Sequence, residues 1–168
     1  MPTLYIITGP SGIGKSTVSK LLASSKEKSA LIEGDDIYHQ VVGGYIAAWK
    51  DGNHLKTFWK VCIESMKAYL ADGYDVVFNY IVNPAELKQI REELHMYHIK
   101  FVVLMTSEKE LLRRDALRPE DCQMKERCLI LLNSFKEKNF SERFILDTSY
   151  LKPEEVVEKL DATNNYLL

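Results

Sequence analysis

Cysteine is scarce in this chain: Cys62, Cys122 and Cys128 are the three among 168 residues. The number is odd and no two of them have the C-x-x-C spacing. That argues against a disulfide framework and against zinc, and it predicts reduced thiols in a cytoplasmic protein. Charge of one sign is equally lacking. The formal net charge is −2, so no basic or acidic excess marks a nucleic-acid or membrane surface, and neither is expected as a partner. Long apolar runs are missing too. Phe101-Val102-Val103-Leu104-Met105 is among the longest, far short of the ~20 residues that span a bilayer. No signal-peptide pattern opens the chain, because its first apolar stretch leads straight into a glycine-rich turn. Repeats, low-complexity tracts and linkers are absent as well. A single domain over residues 1–168 is the expectation, acting as a monomer or weak homodimer.

What the chain does contain is Gly9-Pro10-Ser11-Gly12-Ile13-Gly14-Lys15-Ser16, which fits the pattern G-x-x-x-x-G-K-[ST]. Leu4-Tyr5-Ile6-Ile7 before it reads as a short buried strand, and Thr17 onward reads as a helix. A strand–loop–helix unit aims backbone N–H groups and the positive end of the helix dipole at phosphate. The glycines permit the backbone angles and the close approach that a Cβ would hinder. The expected nucleotide contacts are Gly9, Pro10, Ser11, Gly12, Ile13, Gly14, Lys15, Ser16 and Thr17. Lys15 is expected on the β- and γ-phosphates, and the Ser16 hydroxyl on Mg²⁺.

Strand-like and helical segments alternate along the whole chain. Strands are expected at Leu4–Ile7, Ala30–Glu33, Asp75–Val82, Lys100–Met105 and Arg143–Leu146. Helices are expected at about Lys15–Ser25, Asp35–Val42, Asn53–Ala71 with Asn53 as cap, from Pro84, Glu108–Leu117, Asp121–Lys136 and Pro153–Leu160. This alternation implies an α/β fold, a parallel sheet with helices on both faces. In such sheets ligands bind beyond the carboxyl ends of the strands.

Two further groups lie at those ends. Gly34-Asp35-Asp36 follows the second strand. A carboxylate there can take the proton of an acceptor hydroxyl, or hold a metal-bound water. Asp35 is the first choice and Asp36 the second, and one of the two is expected to be only a helix cap. Arg114 and Arg118 lie four residues apart on one helix face, placed to stabilise charge on a transferring phosphoryl group. The segment Leu111–Arg127 that carries them reads as a lid. Glu110 is placed to pair with Arg114. His39, Tyr45, Trp49, Trp59 and Tyr80 are candidates for an acceptor pocket. At the end of the third strand Asn79 stands where a second metal-associated acid would be expected, which leaves Ser16 and Asp35 as the metal candidates.

These residues resemble the small P-loop kinases of the nucleoside-monophosphate-kinase fold, in the gluconate kinase-like, shikimate kinase-like and chloramphenicol phosphotransferase-like groups. The resemblance rests on Tyr5–Thr17, Ile32-Glu33-Gly34-Asp35, Leu111–Asp115 with Arg118, and Leu146-Asp147-Thr148-Ser149. The opening is most similar to bacterial proteins of the gluconate kinase group. The resemblance implies a P-loop three-layer sandwich with a five-stranded parallel sheet in the order 2-3-1-4-5. It also implies ATP as donor, Mg²⁺, a closing lid containing Arg114 and Arg118, and a loop at Asp147-Thr148-Ser149 near the adenine. The expected function is transfer of the γ-phosphate of ATP to a hydroxyl of a small molecule, with Lys15, Asp35, Arg114 and Arg118 as catalytic residues. The alternative is a nucleotide-binding P-loop protein with an ATPase or regulatory role. A GTPase is excluded, because no Asp has Gly three residues later and N-K-x-D is absent.

Overall fold

The strands pair as the alternation requires. In the computed structural model, which describes residues 1–168 with the Cys122 side chain outside the described atoms, five parallel strands lie in the order β2-β3-β1-β4-β5. They are β1 (Thr3–Thr8), β2 (Ser29–Glu33), β3 (Asp75–Asn79), β4 (His98–Met105) and β5 (Ile145–Asp147). Seven α-helices connect and cover them: α1 (Lys15–Ser24), α2 (Gly34–Tyr38), α3 (Leu55–Ala71), α4 (Pro84–Glu93), α5 (Glu108–Ala116), α6 (Glu126–Glu137) and α7 (Pro153–Ala162).

Period-two alternation divides the core into two layers. Leu4 and Ile6 of β1 join Val76 and Phe78 of β3 and pack on Phe58, Cys62, Met66 and Leu70 of α3. Tyr5 and Ile7 point the other way and meet Val18 and Leu22 of α1, Leu132 of α6 and Leu160 of α7. Both faces of β1 are therefore covered, which is why Leu4–Ile7 reads as an unbroken apolar run. Cys62 and Cys128 are buried free thiols, one in each layer, in keeping with the expectation of reduced cysteine.

Some boundaries differ from the sequence reading. Helix α2 stops at Tyr38 instead of Val42. The buried Tyr38 hydroxyl donates to Ile46 O at 2.7 Å, which folds the following segment back as an irregular cap. Strand β3 stops at Asn79 instead of Val82. The Val82 N–H donates to Thr8 Oγ1 at 2.9 Å and turns the chain off the sheet. Helix α6 starts at Glu126 instead of Asp121, after a short 3₁₀ turn at Glu120–Cys122. There the Asp115 carboxylate accepts the N–H groups of Met124 at 3.0 Å and Lys125 at 2.7 Å and holds the chain out of helical geometry. Strand β5 begins at Ile145, because Glu142–Phe144 forms another 3₁₀ turn. The cap of α3 is His54 instead of the expected Asn53, which lies one residue before it with its Oδ1 accepting from the Leu55 N–H at 3.1 Å.

Gly34, at the junction of β2 and α2, is fixed by a close approach. A Cβ there would lie 2.5–2.7 Å from ring and Cβ atoms of Tyr80. Gly34→Ala must therefore displace the ring or the backbone, and overpacking of this kind typically costs about 1–3 kcal/mol. Urea unfolding is expected to show a lower midpoint with an unchanged slope. An unchanged midpoint would mean that the Tyr80 ring moves aside freely.

Candidate functional site

The register of the sheet assembles the site. Glu33 of β2 is level with Asn79 of β3, and Asn79 is level with Ile7 of β1, the residue before Thr8 and the loop. Three strand ends thus meet where the phosphate-type loop begins, as expected for a parallel sheet. The loop takes angles that favour glycine: φ is 146° at Gly9, 83° at Gly12 and 100° at Gly14. Gly14 is the N-cap of α1, and no side chain caps that helix, so the first N–H groups of α1 stay available to an anion.

Lys15 is the first residue of that helix. Its ammonium donates to Pro10 O at 3.1 Å, across the loop. Burial pushes its pKa down to about 8, opposed by the nearby negative charges of Asp35 and Glu33 and reinforced by Arg118. A cation held in this way lacks a full counter-charge, which suits a loop that receives an anion.

The carboxylate against the Ser16 hydroxyl is Glu33, whereas the sequence reading named Asp35 beside Ser16 as the metal candidate. Ser16 Oγ lies 3.4 Å from Glu33 Oε2, and the Asn79 amide donates to Ser16 Oγ at 3.0 Å and also to Glu33 Oε2. The second oxygen of Glu33, Oε1, is buried and has no hydrogen-bond partner. A buried carboxylate oxygen left unpartnered is costly. Its chemistry, with the Ser16 hydroxyl alongside, is that of an oxygen donor set for a hard divalent cation. Sequence reasoning gave Glu33 no role of its own. Its signal was position: it is the last residue of β2, next to Gly34-Asp35.

A cavity of about 520 Å³ opens above these groups. Ser11–Val18, Asp35, Asn79, Arg114 and Arg118 line it, together with Leu104, Met124, Thr148, Leu151, Pro153 and Val156. Lys15, Ser16, Asp35, Arg114 and Arg118 therefore share one cavity, and Asp36 is not on its wall.

The two arginines differ in their commitments. Arg114 donates to Glu110 at 2.8 Å, to Ile13 O and Thr148 Oγ1 at 3.2 Å each, and to Thr148 O at 2.7 Å. It ties the phosphate-type loop to the chain after β5, and the expected Glu110 pair is present. Arg118 has only an ion pair with Asp115, 3.5 Å from Nη1 to Oδ1, without hydrogen-bond geometry. Asp115 itself is 3% exposed, and its backbone hydrogen bonds, led by that from Met124, lower its pKa. Of the acceptor-pocket candidates, Trp59 is 7% exposed and belongs to the core, whereas Trp49 is 72% exposed with the Arg127 guanidinium 5.1 Å from its ring centre. No helix of the structure is long and apolar enough to cross a membrane among the described residues.

Comparison with known proteins agrees with this frame. The AAA domain family model matches residues 4–130. A guanylate kinase from Bartonella henselae is 28% identical over 138 residues, 71% of this chain and 61% of that enzyme. The chain thus spans less than two thirds of that relative's length. Among solved structures, a gluconokinase from Sinorhizobium meliloti superposes with a TM-score of 0.67 at 22% identity, covering 96% of this chain and 90% of the other. A sugar kinase from a Janibacter species superposes with a TM-score of 0.69 at 16% identity, covering 95% and 92%. The matched family model covers most of the chain, and the sheet order is that of these neighbours: the chain belongs to the AAA domain family and has the fold of the small P-loop kinases.

Proposed function

We propose that the protein is an ATP-dependent phosphotransferase that moves the γ-phosphate to a hydroxyl of a small molecule. One observation carries the reading. Lys15, Ser16 and Asp35 line one cavity, and the Ser16 hydroxyl lies 3.4 Å from Glu33 Oε2, the carboxylate whose other oxygen is buried without a hydrogen-bond partner among the described residues. The triphosphate lies along Gly9–Thr17 on the open N–H groups of α1. The base lies toward Thr148, Leu151 and Pro153. Asp35 takes the proton of the acceptor hydroxyl as its oxygen attacks the γ-phosphorus, and the bond to the β-phosphate oxygen breaks to release ADP. Lys15 and Arg118 balance the charge on the transferring group. Arg114 acts as the brace between the loop and the base side, and the lid segment 111–127 closes over the nucleotide and excludes water.

Mg²⁺ would be held by Ser16 and Glu33, and when bound it supplies charge neutralisation across the β- and γ-phosphates. Glu33→Gln tests this part of the reading by binding alone. Titration of the non-hydrolysable ATP analogue AMP-PNP with and without Mg²⁺ is expected to show a clear metal-dependent gain in affinity for the parent. In the variant that gain is expected to shrink about tenfold or more, with the metal-free affinity retained. An undiminished gain in Glu33→Gln would remove Glu33 from the metal site.

A further inference from the structure

We propose that the acceptor is a hydroxyl-bearing ring compound without an anionic group, uncharged or amine-bearing, held against an aromatic wall on the side of Asp35 remote from the phosphate-type loop. This inference rests on the phosphotransferase reading and adds the class of its second substrate.

The rings form a continuous chain whose middle members, Tyr38 and Phe58, are buried in the core and brace the outer ones. His39 Nδ1 is 2.7 Å from Asp35 O, and its Nε2 is 3.3 Å from the Tyr45 hydroxyl. The His39 and Tyr45 rings are stacked with centres 5.6 Å apart. Tyr45 stands edge-on to Tyr38 at 5.9 Å, Tyr38 meets Phe58 at 5.5 Å, and Phe58 meets Tyr80 at 4.6 Å. Tyr80 closes the chain of rings back onto the site, since its ring lies over Gly34. Its half-buried hydroxyl has no hydrogen-bond partner among the described residues. Burial raises the pKa of that hydroxyl, and the negative charge of Asp35 raises it further. A phenol that keeps its proton is a fixed, neutral hydrogen-bonding group for an acceptor hydroxyl. Tyr45 is 43% exposed, so one ring of the wall is open to a ligand. Rings of this kind take the apolar faces of sugars and bases, and they attract cations.

Charge sets the class. Glu33, Asp35 and Asp36 place three carboxylates within four positions of one another. Lys15 and Arg118 line the cavity of the phosphate-type loop, and Arg127 is held over the Trp49 ring. No lysine or arginine is paired with any ring of the wall among the described residues. A carboxylate or phosphate on the acceptor would meet the charge of Asp35 without a permanent counter-charge from the rings' own neighbours, and like charges oppose binding. The same wall therefore disfavours hexonic acids and nucleoside monophosphates and accepts their neutral counterparts.

Matched pairs isolate the charge: guanosine against GMP, thymidine against TMP, and glucose against gluconate, with an aminocyclitol antibiotic such as kanamycin as the cationic member. Each is titrated into the full chain saturated with Mg²⁺ and AMP-PNP. At least one uncharged or cationic compound is expected to bind at least tenfold more tightly than every anionic one. Tyr80→Phe and Tyr45→Ala are expected to weaken it several-fold, with circular dichroism showing the fold retained. Tyr45→Arg is expected to narrow the gap between the paired compounds by adding the missing cation. Equal or tighter binding of an anionic member, or binding by none of the panel, overturns the proposal. Transfer is scored separately from [γ-³²P]ATP. Tight neutral binding without transfer leaves the wall assignment standing and sinks the phosphotransferase reading, whereas transfer to an anionic compound does the reverse.

Discussion

Lys15→Met is expected to abolish phosphoryl transfer and at the same time to raise the stability of the protein. Loss of a charged group aimed at a developing phosphoryl charge typically costs about 10²–10³-fold in rate, and here it also removes the cation that greets the triphosphate. The stability gain follows from the burial that lowers the Lys15 pKa from 10.5 to about 8. Below pH 8 the folded protein carries a partly desolvated ammonium whose only hydrogen bond among the described residues is to Pro10 O. Between about 8 and 10.5 the unfolded chain binds more protons at this position than the folded one, so parent stability rises with pH through that window. A methionine carries no such cost and no such slope. Its gain at pH 7 is up to about 3 kcal/mol from a shift of this size, reduced by the partial solvent access of the side chain. The same titration predicts that ATP affinity of the parent falls as pH rises through about 8, where the ammonium loses its proton. Thermal unfolding at pH 7 and pH 9.5, with nucleotide titration over the same range, checks both halves. A Met variant that is less stable than the parent at pH 7 would show that Lys15 is satisfied in the free protein.

Asp35→Asn is expected to lower transfer by about 10²–10⁴-fold, the usual contribution of a general base, while nucleotide binding is retained. Asparagine keeps the size of the side chain and its capacity at a helix start but cannot take a proton. Asp36→Asn is expected to be much milder, because Asp36 is not on the wall of the cavity that holds Asp35 and Lys15. Single-turnover rates with a bound acceptor are the measurement. Parent rates in both variants would return Gly34-Asp35-Asp36 to the role of a helix start.

Most of the frame was legible because it depends on local rules. The β1–loop–α1 unit, the alternation of strands and helices, and the Glu110–Arg114 pair follow from spacing alone, and the resemblance supplied the strand order. What could not be read came from contacts between distant positions. Glu33 reads as an ordinary strand residue until the register sets it beside Asn79 and the first turn of α1. Arg114 reads as a guanidinium paired with Glu110 on a helix face, and only the fold shows its further hydrogen bonds to Ile13 O and Thr148. The late start of α6 has the same origin, since helix propensity over Asp121–Lys125 yields to the backbone hydrogen bonds that Asp115 accepts. Tyr80 belongs with these, because its place over Gly34 joins the end of β3 to the end of β2.

The most direct measurement of the central claim follows the label of [γ-³²P]ATP with Mg²⁺ and the tightest-binding compound of the matched panel, in the parent and in Asp35→Asn. The account predicts that the parent places the label on the organic compound, with little released as inorganic phosphate, and that Asp35→Asn binds ATP yet leaves the label on it. Label released only as inorganic phosphate by the parent, or transferred equally well by Asp35→Asn, would contradict it.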